Sequence, residues 1–284
     1  MTSTARLMDG RELARRIVEQ VAERAAALTR QTGTSPCLAT VLVGDDPASA
    51  TYVRMKRARC EKAGIRSRHL ALPAATTTAE LVDTITALSH DPDVHGILLQ
   101  HPAGPHIDER AAFEAIAPEK DVDGVTCHSF AAMSFGLDGF ASCTPGGILR
   151  LLDHYDVDLA GKHAVVVGRS AILGRPVGML LLGRNATVTY CHSRTTDLAS
   201  ITKDADVLVA AVGRPRFLRD EHIKPGAVVI DAGSHPGNIG DVDFDSACTR
   251  ASLITPVPGG VGPMTIATLL TQTVDAAAAQ LKAV

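Results

Sequence analysis

The chain has 284 residues, a length that favours two domains of ordinary size. Hydrophobic residues make up 45% of the chain and charged residues 21%, which excludes wholesale disorder because there is ample apolar material for a packed core. The formal net charge of −3 leaves no excess of cations to face a phosphate backbone, so we expect no nucleic-acid partner.

Apolar runs and cysteine spacing bear on location and metal binding. No run approaches the roughly 18 apolar residues that a membrane span needs, and the first ten residues lack the apolar core of a signal peptide. The cysteines occur singly, without a C-x-x-C pair that could hold zinc or form a redox dithiol. We therefore expect a cytoplasmic protein without a membrane segment or a metal ion, whose cysteines are reduced and mostly buried. They are Cys37, Cys60, Cys127, Cys143, Cys191 and Cys248.

Helical and apolar segments alternate along the first half of the chain. The pattern predicts a helix over 10–29, a strand over 37–43, a helix over 48–63, a strand over 68–72, a helix from 76 to 88 and a strand over 96–100. Strands that alternate with helices favour parallel pairing in an α/β sheet.

The same alternation returns after Cys143. The pattern predicts a helix over 147–155, a strand over 163–167, a helix over 176–182, strands over 186–191, 207–211, 227–231 and 252–255, and a last helix over 265–281. The fold class is therefore predicted to be α/β, with two α/β domains. The change of motif places the boundary near residues 139–147.

A Gly-containing turn stands between the predicted strand over 163–167 and the next helix. It has Gly168, Arg169 and Ser170, followed by Gly174. Backbone N–H groups and a helix N-terminus at such a place can hold a pyrophosphate. The turn is a variant of the Rossmann fingerprint, in which Ser170 replaces the second glycine; the alternative is a tight turn with no ligand.

The end of the following strand indicates which dinucleotide binds. An NAD enzyme usually has Asp or Glu there, to bind the adenosine ribose. This chain instead has Ser193 and Arg194, a hydroxyl and a cation that suit a 2′-phosphate. We therefore predict NADP as the cofactor, with Arg169 and Arg194 as a phosphate clamp. The alternative for both arginines is a solvated surface charge.

Candidate reactive residues occur in the first half of the chain. Tyr52 and Lys56 are four apart on a predicted helix and so share one face, where Lys56 could move protons; its alternative is a solvated charge. Gln100 ends a predicted buried strand, where side chains point into the ligand crevice; its alternative is an amide that caps a loop. Asp121 and Asp123 are further polar candidates, and the alternative for both is that they form the turn before Gly124.

Eight motifs together resemble the bifunctional methylenetetrahydrofolate dehydrogenase/cyclohydrolase family. In order they are ASATYVRMK, GILLQ, KDVDG, CTPGG, VVVGRSAILGRPVGMLLL, ATVTYCHSRT, VIDAG and PVPGGVGPMT, and the likeness runs from about residue 37 to 273. It implies NADP-dependent oxidation of 5,10-methylenetetrahydrofolate and hydrolysis of the methenyl product to 10-formyltetrahydrofolate. It also implies a folate-binding domain over 1–141, which includes the helix 266–284, and an NADP-binding domain over 142–265 with a Rossmann-like doubly wound parallel sheet. The folate is expected in a cleft between the two domains. A homodimer is expected to form through the cofactor domains.

The resemblance also implies roles for single residues. Lys56 is the catalytic residue, Tyr52 stacks on the substrate, and Gln100 supports Lys56. Asp123 binds the pterin end, while Gly260 and Pro263 lie in a loop that closes over the folate. The positions that match cofactor contacts are Thr144, Gly168, Arg169, Ser170 and Ser193.

The chain departs from the common family pattern at several places. The departures are His101, Ala103 and Gly104 after Gln100, Ala58 near Lys56, and Ser129 after KDVDG. They change the surroundings of the folate tail, and none removes a residue assigned to the chemistry. The alternative functions are an NADP dehydrogenase acting on a small acid, a folate enzyme with dehydrogenase activity only, and a non-catalytic dinucleotide-binding regulator.

Overall fold

The structure is a computed structural model that describes residues 5–44 and 56–282. The strands in chain order are β1 (Arg6–Leu7), β2 (Cys37–Val43), β3 (Arg66–Leu72), β4 (Gly96–Leu99), β5 (His163–Val167), β6 (Thr187–Cys191), β7 (Val207–Ala210), β8 (Val228–Asp231) and β9 (Leu253–Ile254). The helices are α1 (Gly10–Thr32), α2 (56–62), α3 (Thr78–His90), α4 (Glu109–Glu114), α5 (Cys127–Phe135), α6 (Cys143–His154), α7 (Gly174–Gly183), α8 (Leu198–Thr202), α9 (Phe244–Ala247) and α10 (Val261–Lys282).

The described residues fall into two compact units. The first, which we call the six-strand unit, takes in the residues up to Ala14 and Cys143–Thr265. The second, the three-strand unit, takes its residues from Arg15–Ser142 and Ile266–Val284. The predicted α/β class with parallel pairing is confirmed in both units, because every strand pair in either sheet is parallel.

The three-strand unit has its sheet in the order β3-β2-β4. All seven residues of the central strand β2 are buried, which explains why its sequence is apolar except for Thr40. Helix α3 begins with a capping box between Thr77 and Glu80 and buries Leu81, Ile85 and Leu88 at helical spacing. The end of the chain also belongs to this unit, because Gln272 Nε2 of α10 donates hydrogen bonds to the carbonyls of residues 122 and 141 at 2.7 and 3.0 Å.

The six-strand unit has its sheet in the order β1-β9-β8-β7-β5-β6. The chain passes from β5 outward to β6, and then returns to the other side of β5 to form β7. This reversal makes the carboxyl ends of β5 and β7 the topological switch point, where open α/β sheets bind their ligands. Strands β5 and β7 are almost wholly buried, so the core of the unit lies directly beneath that point.

Several predicted boundaries differ from the structure. The predicted helix over 48–63 is helical over 56–62, and its residues 48–55 lie outside the described residues. The last helix begins at Val261 rather than 265, and α6 begins four residues earlier than predicted. The elements β1, α4, α5, α8 and α9 were not predicted.

The described residues also bear on the remaining expectations from composition. All six cysteines are free thiols, and four of them are buried, which confirms that most are buried. Within residues 5–44 and 56–282, no helix is long and apolar enough to cross a membrane. The same residues contain no group of three or more His, Cys, Asp or Glu side chains that could hold a metal ion.

Candidate functional site

Lys56 and Gln100 are joined by a hydrogen bond in the three-strand unit. Lys56 Nζ donates to Gln100 Oε1 at 3.0 Å, and Gln100 Nε2 donates to the His101 carbonyl at 2.9 Å. Gln100 directly follows β4, and its backbone N–H donates to the Val41 carbonyl of β2 at 2.8 Å, which fixes it at the carboxyl end of the sheet. Because the amide accepts from Lys56 without being able to take its proton, it orients the amine and leaves the proton available.

The two aspartates of the KDVDG motif have different surroundings. Asp121 is fully buried and accepts hydrogen bonds from the backbone N–H groups of Val125 at 3.1 Å and Thr126 at 2.9 Å, so it is the turn former. Asp123 is half-buried, and its carboxylate has no hydrogen bond or ion pair with any residue that the structure describes. Asp123 is therefore the carboxylate of the motif that is available to a ligand. Tyr52 lies outside the described residues.

Burial and hydrogen bonding act on Asp121 in opposite directions. Burial raises the pKa of Asp121 above its usual value, although its hydrogen bonds with Ser129, Thr126 and Val125 lower it. The shortest of these bonds is donated by Ser129 Oγ at 2.6 Å. Ser129 is one of the departures from the family pattern, and here it stabilises the carboxylate that shapes the turn before Asp123.

Replacing Ser129 by Ala is expected to lower the free energy of unfolding by about 1.5–3 kcal/mol, because a buried carboxylate loses a donor. Urea unfolding measures this change. Ser134→Ala is the matched control, since Ser134 lies on the same helix α5 and donates only to the Phe130 carbonyl, at 2.7 Å. Equal losses in the two variants would contradict the role given to Ser129.

The turn between β5 and α7 brings backbone close to backbone. Gly168 has φ 144°, which L side chains rarely adopt, and a Cβ at Gly168 would overlap the carbonyl oxygen of Ala211, directly after β7. A Cβ at Gly174 would lie 2.6 Å from the Gly168 carbonyl carbon. The packing of the turn on itself and on the end of β7 therefore requires glycine at both positions.

Free backbone donors lie in this turn. The N–H groups of residues 169–173 donate to no acceptor in the part of the chain that the structure describes. In contrast, Gly174 N donates to Ser170 Oγ at 3.1 Å, Arg175 N donates to the Ser170 carbonyl at 3.0 Å, and Pro176 has no N–H. The first N–H groups of α7 are therefore already paired, and the free donors that could bind an anion belong to the turn before the helix.

Two cations stand beside the turn at the carboxyl edge of the sheet. Strands β5 and β6 are paired, and Gly168 N donates to the Cys191 carbonyl at 2.9 Å, so the residues after β6 lie next to the turn. Arg169, Ser193 and Arg194 are exposed, and neither guanidinium forms an ion pair within residues 5–44 and 56–282. Free amides, two free guanidinium groups and a close-packed glycine turn fit a dinucleotide with an additional phosphate.

The remaining predicted contacts lie around the start of α10. Thr144 and Thr265 are half-buried, and their hydroxyl oxygens are 3.0 Å apart. Gly260 is buried, and a Cβ there would lie 2.6 Å from Thr255 Cβ, so packing alone requires this glycine. Pro263 lies in the first turn of α10, which corrects its expected place in a loop. Proline suits that turn because its missing N–H would have no helical acceptor there.

A buried polar cluster that was not predicted lies after β8. The carboxylate of Asp231, 4% exposed, accepts hydrogen bonds from the N–H groups of Gly233, Asp241 and Val242, each at 2.9 Å. Burial is the main cause that raises the pKa of Asp231 to about 6. The available signal was an aspartate at the end of the apolar run VVID, where a buried carboxylate needs several donors.

Family models match most of the chain. The catalytic domain of tetrahydrofolate dehydrogenase/cyclohydrolase matches residues 8–123, and the NAD(P)-binding domain of the same family matches residues 142–281. The chain is also 79% identical over 280 residues to the bifunctional protein FolD 1 of Streptomyces avermitilis, which covers 99% of this chain and 98% of that protein.

Solved structures agree with these matches. The bifunctional FolD dehydrogenase/cyclohydrolase of Campylobacter jejuni has a TM-score of 0.93 at 45% identity, covering 96% of this chain and 98% of that one. The Trypanosoma brucei dehydrogenase-cyclohydrolase, solved with NADP and an inhibitor, has a TM-score of 0.91 at 38% identity, covering 98% of both chains. These likenesses confirm the enzyme class and the NAD(P)-binding domain that the motifs predict, and the chain belongs to the tetrahydrofolate dehydrogenase/cyclohydrolase family.

Proposed function

We propose that this chain oxidises 5,10-methylenetetrahydrofolate with NADP to 5,10-methenyltetrahydrofolate, and hydrolyses that product to 10-formyltetrahydrofolate. The observation that carries the proposal is the hydrogen bond from Lys56 Nζ to Gln100 Oε1, at the carboxyl end of a parallel sheet. It places an oriented amine where ligands of such sheets bind. The free amides after β5 supply the second requirement, a place for a dinucleotide.

The residues of the turn and of the β6 end would hold the NADP. The free N–H groups of residues 169–173 would bind the pyrophosphate, and Arg169, Ser193 and Arg194 would bind phosphate oxygens, including those of the 2′-phosphate. When bound, NADP would supply the acceptor for the hydride that leaves the bridging carbon of the folate. This step requires little of the protein besides orientation, because no proton has to be moved.

The hydrolytic step gives Lys56 its role. Water adds to the cationic bridging carbon, and the bond from that carbon to one folate nitrogen breaks. One proton of the water ends on that nitrogen and the other is released, so a group must move protons between oxygen and nitrogen. Lys56, oriented by Gln100, is the group that we assign to this transfer, while Asp123 binds the pterin end and Tyr52 stacks on the substrate.

An absorbance assay with methylenetetrahydrofolate and NADP tests the proposal. The NADPH band is expected to rise, and the band of the methenyl product is expected to appear and then decay faster than it does without enzyme. A rise without accelerated decay would indicate a dehydrogenase only. No response would favour a non-catalytic dinucleotide-binding protein or, if small hydroxy acids reduce NADP instead, a dehydrogenase of another class.

Replacing Arg194 by Ala is expected to lower kcat/KM for NADP by about 10- to 100-fold, because a charged hydrogen bond to the 2′-phosphate is lost. The value for NAD should stay within about twofold, since NAD lacks that phosphate. Steady-state rates with both cofactors measure the change. Arg250→Ala is the control, because Arg250 is an exposed arginine in the segment that leads into β9. Equal losses with NADP and NAD in the Arg194 variant would refute the assignment.

We further propose that the enzyme is a cytoplasmic homodimer that binds no nucleic acid. Strand β6 is an edge strand of the large sheet, and Tyr190 of β6 and Leu182 of α7 are 37% and 55% exposed, which supports an interface there. Six free thiols suit a reducing compartment, and the net charge of −3 does not favour nucleic acid. Sedimentation equilibrium tests the dimer, and Tyr190→Glu should shift it to monomer.

A further inference from the structure

The loops after β7 and β8 share one buried carboxylate. The carboxylate of Asp241, 0% exposed, accepts hydrogen bonds from the N–H groups of Val212 at 2.5 Å and Gly213 at 2.9 Å, both directly after β7. Its other oxygen lies 2.7 Å from His235 Nε2. Because an ionised carboxylate only accepts hydrogen bonds, the histidine is the donor. Asp241 therefore ties the segment after β7 to the hairpin in which His235 lies.

The segment that Asp241 holds lies at the switch point of the sheet. Residues 211–213 follow β7, and the carbonyl of Ala211 is the atom that a Cβ at Gly168 would overlap. The backbone after β7 is therefore packed against the glycine turn whose amides are free. A shift of this backbone therefore displaces the glycine turn whose free N–H groups would bind the dinucleotide.

Asp241 needs a third donor because a second carboxylate is close. The Asp231 carboxylate accepts a hydrogen bond from Asp241 N at 2.9 Å, and the negative charges of the two carboxylates repel each other. The backbone N–H groups of Val212 and Gly213 occupy one oxygen of Asp241, and His235 serves the other. Loss of the His235 donor leaves a buried carboxylate oxygen unpaired beside another carboxylate, an unfavourable state that movement of the two loops relieves.

His235 is anchored in turn by a short hairpin. Its backbone N–H donates to the Ile239 carbonyl at 2.9 Å, and the two residues form an antiparallel bridge. Gly237 and Asn238, between them, both have positive φ, as a tight turn requires. The hairpin thus presents the imidazole to Asp241 in one orientation.

We propose that His235 is a positioning residue for the nicotinamide dinucleotide: through Asp241 it fixes the backbone of residues 212–213 at the switch point. The inference rests on the proposed use of NADP, and direct binding of NADPH separates the two. If the unchanged chain fails to bind NADPH, the proposed function fails. If it binds and the His235 variants bind equally well, only the present inference fails.

The test measures NADPH binding by the fluorescence of its reduced ring. His235→Ala is expected to raise the Kd by about tenfold or more, as loss of a hydrogen bond to a buried charge implies. His235→Gln, which can place a neutral N–H donor near the position of Nε2, is expected to stay within about threefold. In turnover the Ala variant should raise KM for NADP while leaving hydrolysis of added methenyltetrahydrofolate unchanged, a split that general loss of folded protein would not produce.

His163→Ala is the matched control, because His163 begins β5 at the opposite edge of the same sheet and is hydrogen-bonded to the Asp204 carbonyl. It should leave the Kd unchanged. Should the Ala variant at position 235 fail to fold, His235→Leu, which fills the space without a donor, is compared with His235→Gln. Unchanged binding in the donor-free variant, equal losses with Gln, or an equal loss in the His163 control would each overturn the inference.

Discussion

Replacing Lys56 by Met is expected to slow the hydrolysis of methenyltetrahydrofolate by about 10²- to 10⁴-fold, the range over which a positioned acid–base group acts. Met keeps most of the length of the side chain but carries no proton. NADPH binding should be unchanged, because the turn that holds the dinucleotide lies in the six-strand unit and Lys56 lies in the other. Decay of the methenyl band measures the first property, and NADPH fluorescence the second.

The structure offers a matched control for this variant. Lys62 lies on the same helix α2, but it is exposed, whereas Lys56 is half-buried and hydrogen-bonded to Gln100. Lys62→Met should therefore leave hydrolysis within about twofold of the unchanged enzyme. An unaltered hydrolysis rate in the Lys56 variant would show that another group moves the proton. An equal loss in both variants would reduce Lys56 to a general contributor of positive charge.

Replacing Gly168 by Ala is expected to have the largest effect on cofactor binding. The added Cβ would overlap the Ala211 carbonyl oxygen, and φ 144° is unfavourable for any L side chain, so the turn must shift. Strain of this kind costs about 1–3 kcal/mol. The displaced turn amides should raise the Kd for NADPH by at least about 100-fold, an estimate based on the loss of two charged hydrogen bonds.

Gly183→Ala is the control for the glycine substitution. Gly183 ends α7, and a Cβ there would meet nothing within 4 Å. Since Ala is the better helix former by up to about 1 kcal/mol, this variant should be as stable as the unchanged protein or slightly more stable. Urea unfolding and NADPH fluorescence measure both variants. Normal NADPH binding in Gly168→Ala would mean that the turn does not contact the dinucleotide.

Buried strands were the elements that the sequence predicted best. The predicted and observed bounds of β2 and β5 coincide, because each is a short apolar run with polar or turn residues on both sides. Strand β1 has only two residues, both exposed, and it exists because it pairs with β9, which is far away in the chain. No local pattern marks such a strand. The early start of α10 was missed because glycine and proline usually indicate a loop, whereas Pro263 lies in a first turn where it is tolerated.

In the candidate site, too, the features that depend on neighbouring residues could be predicted, and those that depend on contacts formed by the fold could not. The glycine turn after β5 and the basic end of β6 could be predicted because each function follows from residue types at a fixed spacing. Residue types and spacing alone could not distinguish Asp121 from Asp123, which only the family resemblance separated, since the difference lies in which carboxylate accepts hydrogen bonds from the N–H groups of Val125 and Thr126. The pairing of His235 with Asp241 was equally out of reach, because it depends on the hairpin that brings residues six positions apart together.

The place of α10 in the three-strand unit determines the order in which the chain can fold. Gln272 and Gln280 donate hydrogen bonds to carbonyls in this unit, whereas the six-strand unit uses no residue after Thr265. Proteins are synthesised from the N-terminus, and their domains fold as units during synthesis. The six-strand unit therefore has all its residues first, although most of it is encoded later. The unit that contains most of the first half of the chain is the later one to be completed, because it also needs the residues of α10 after Thr265.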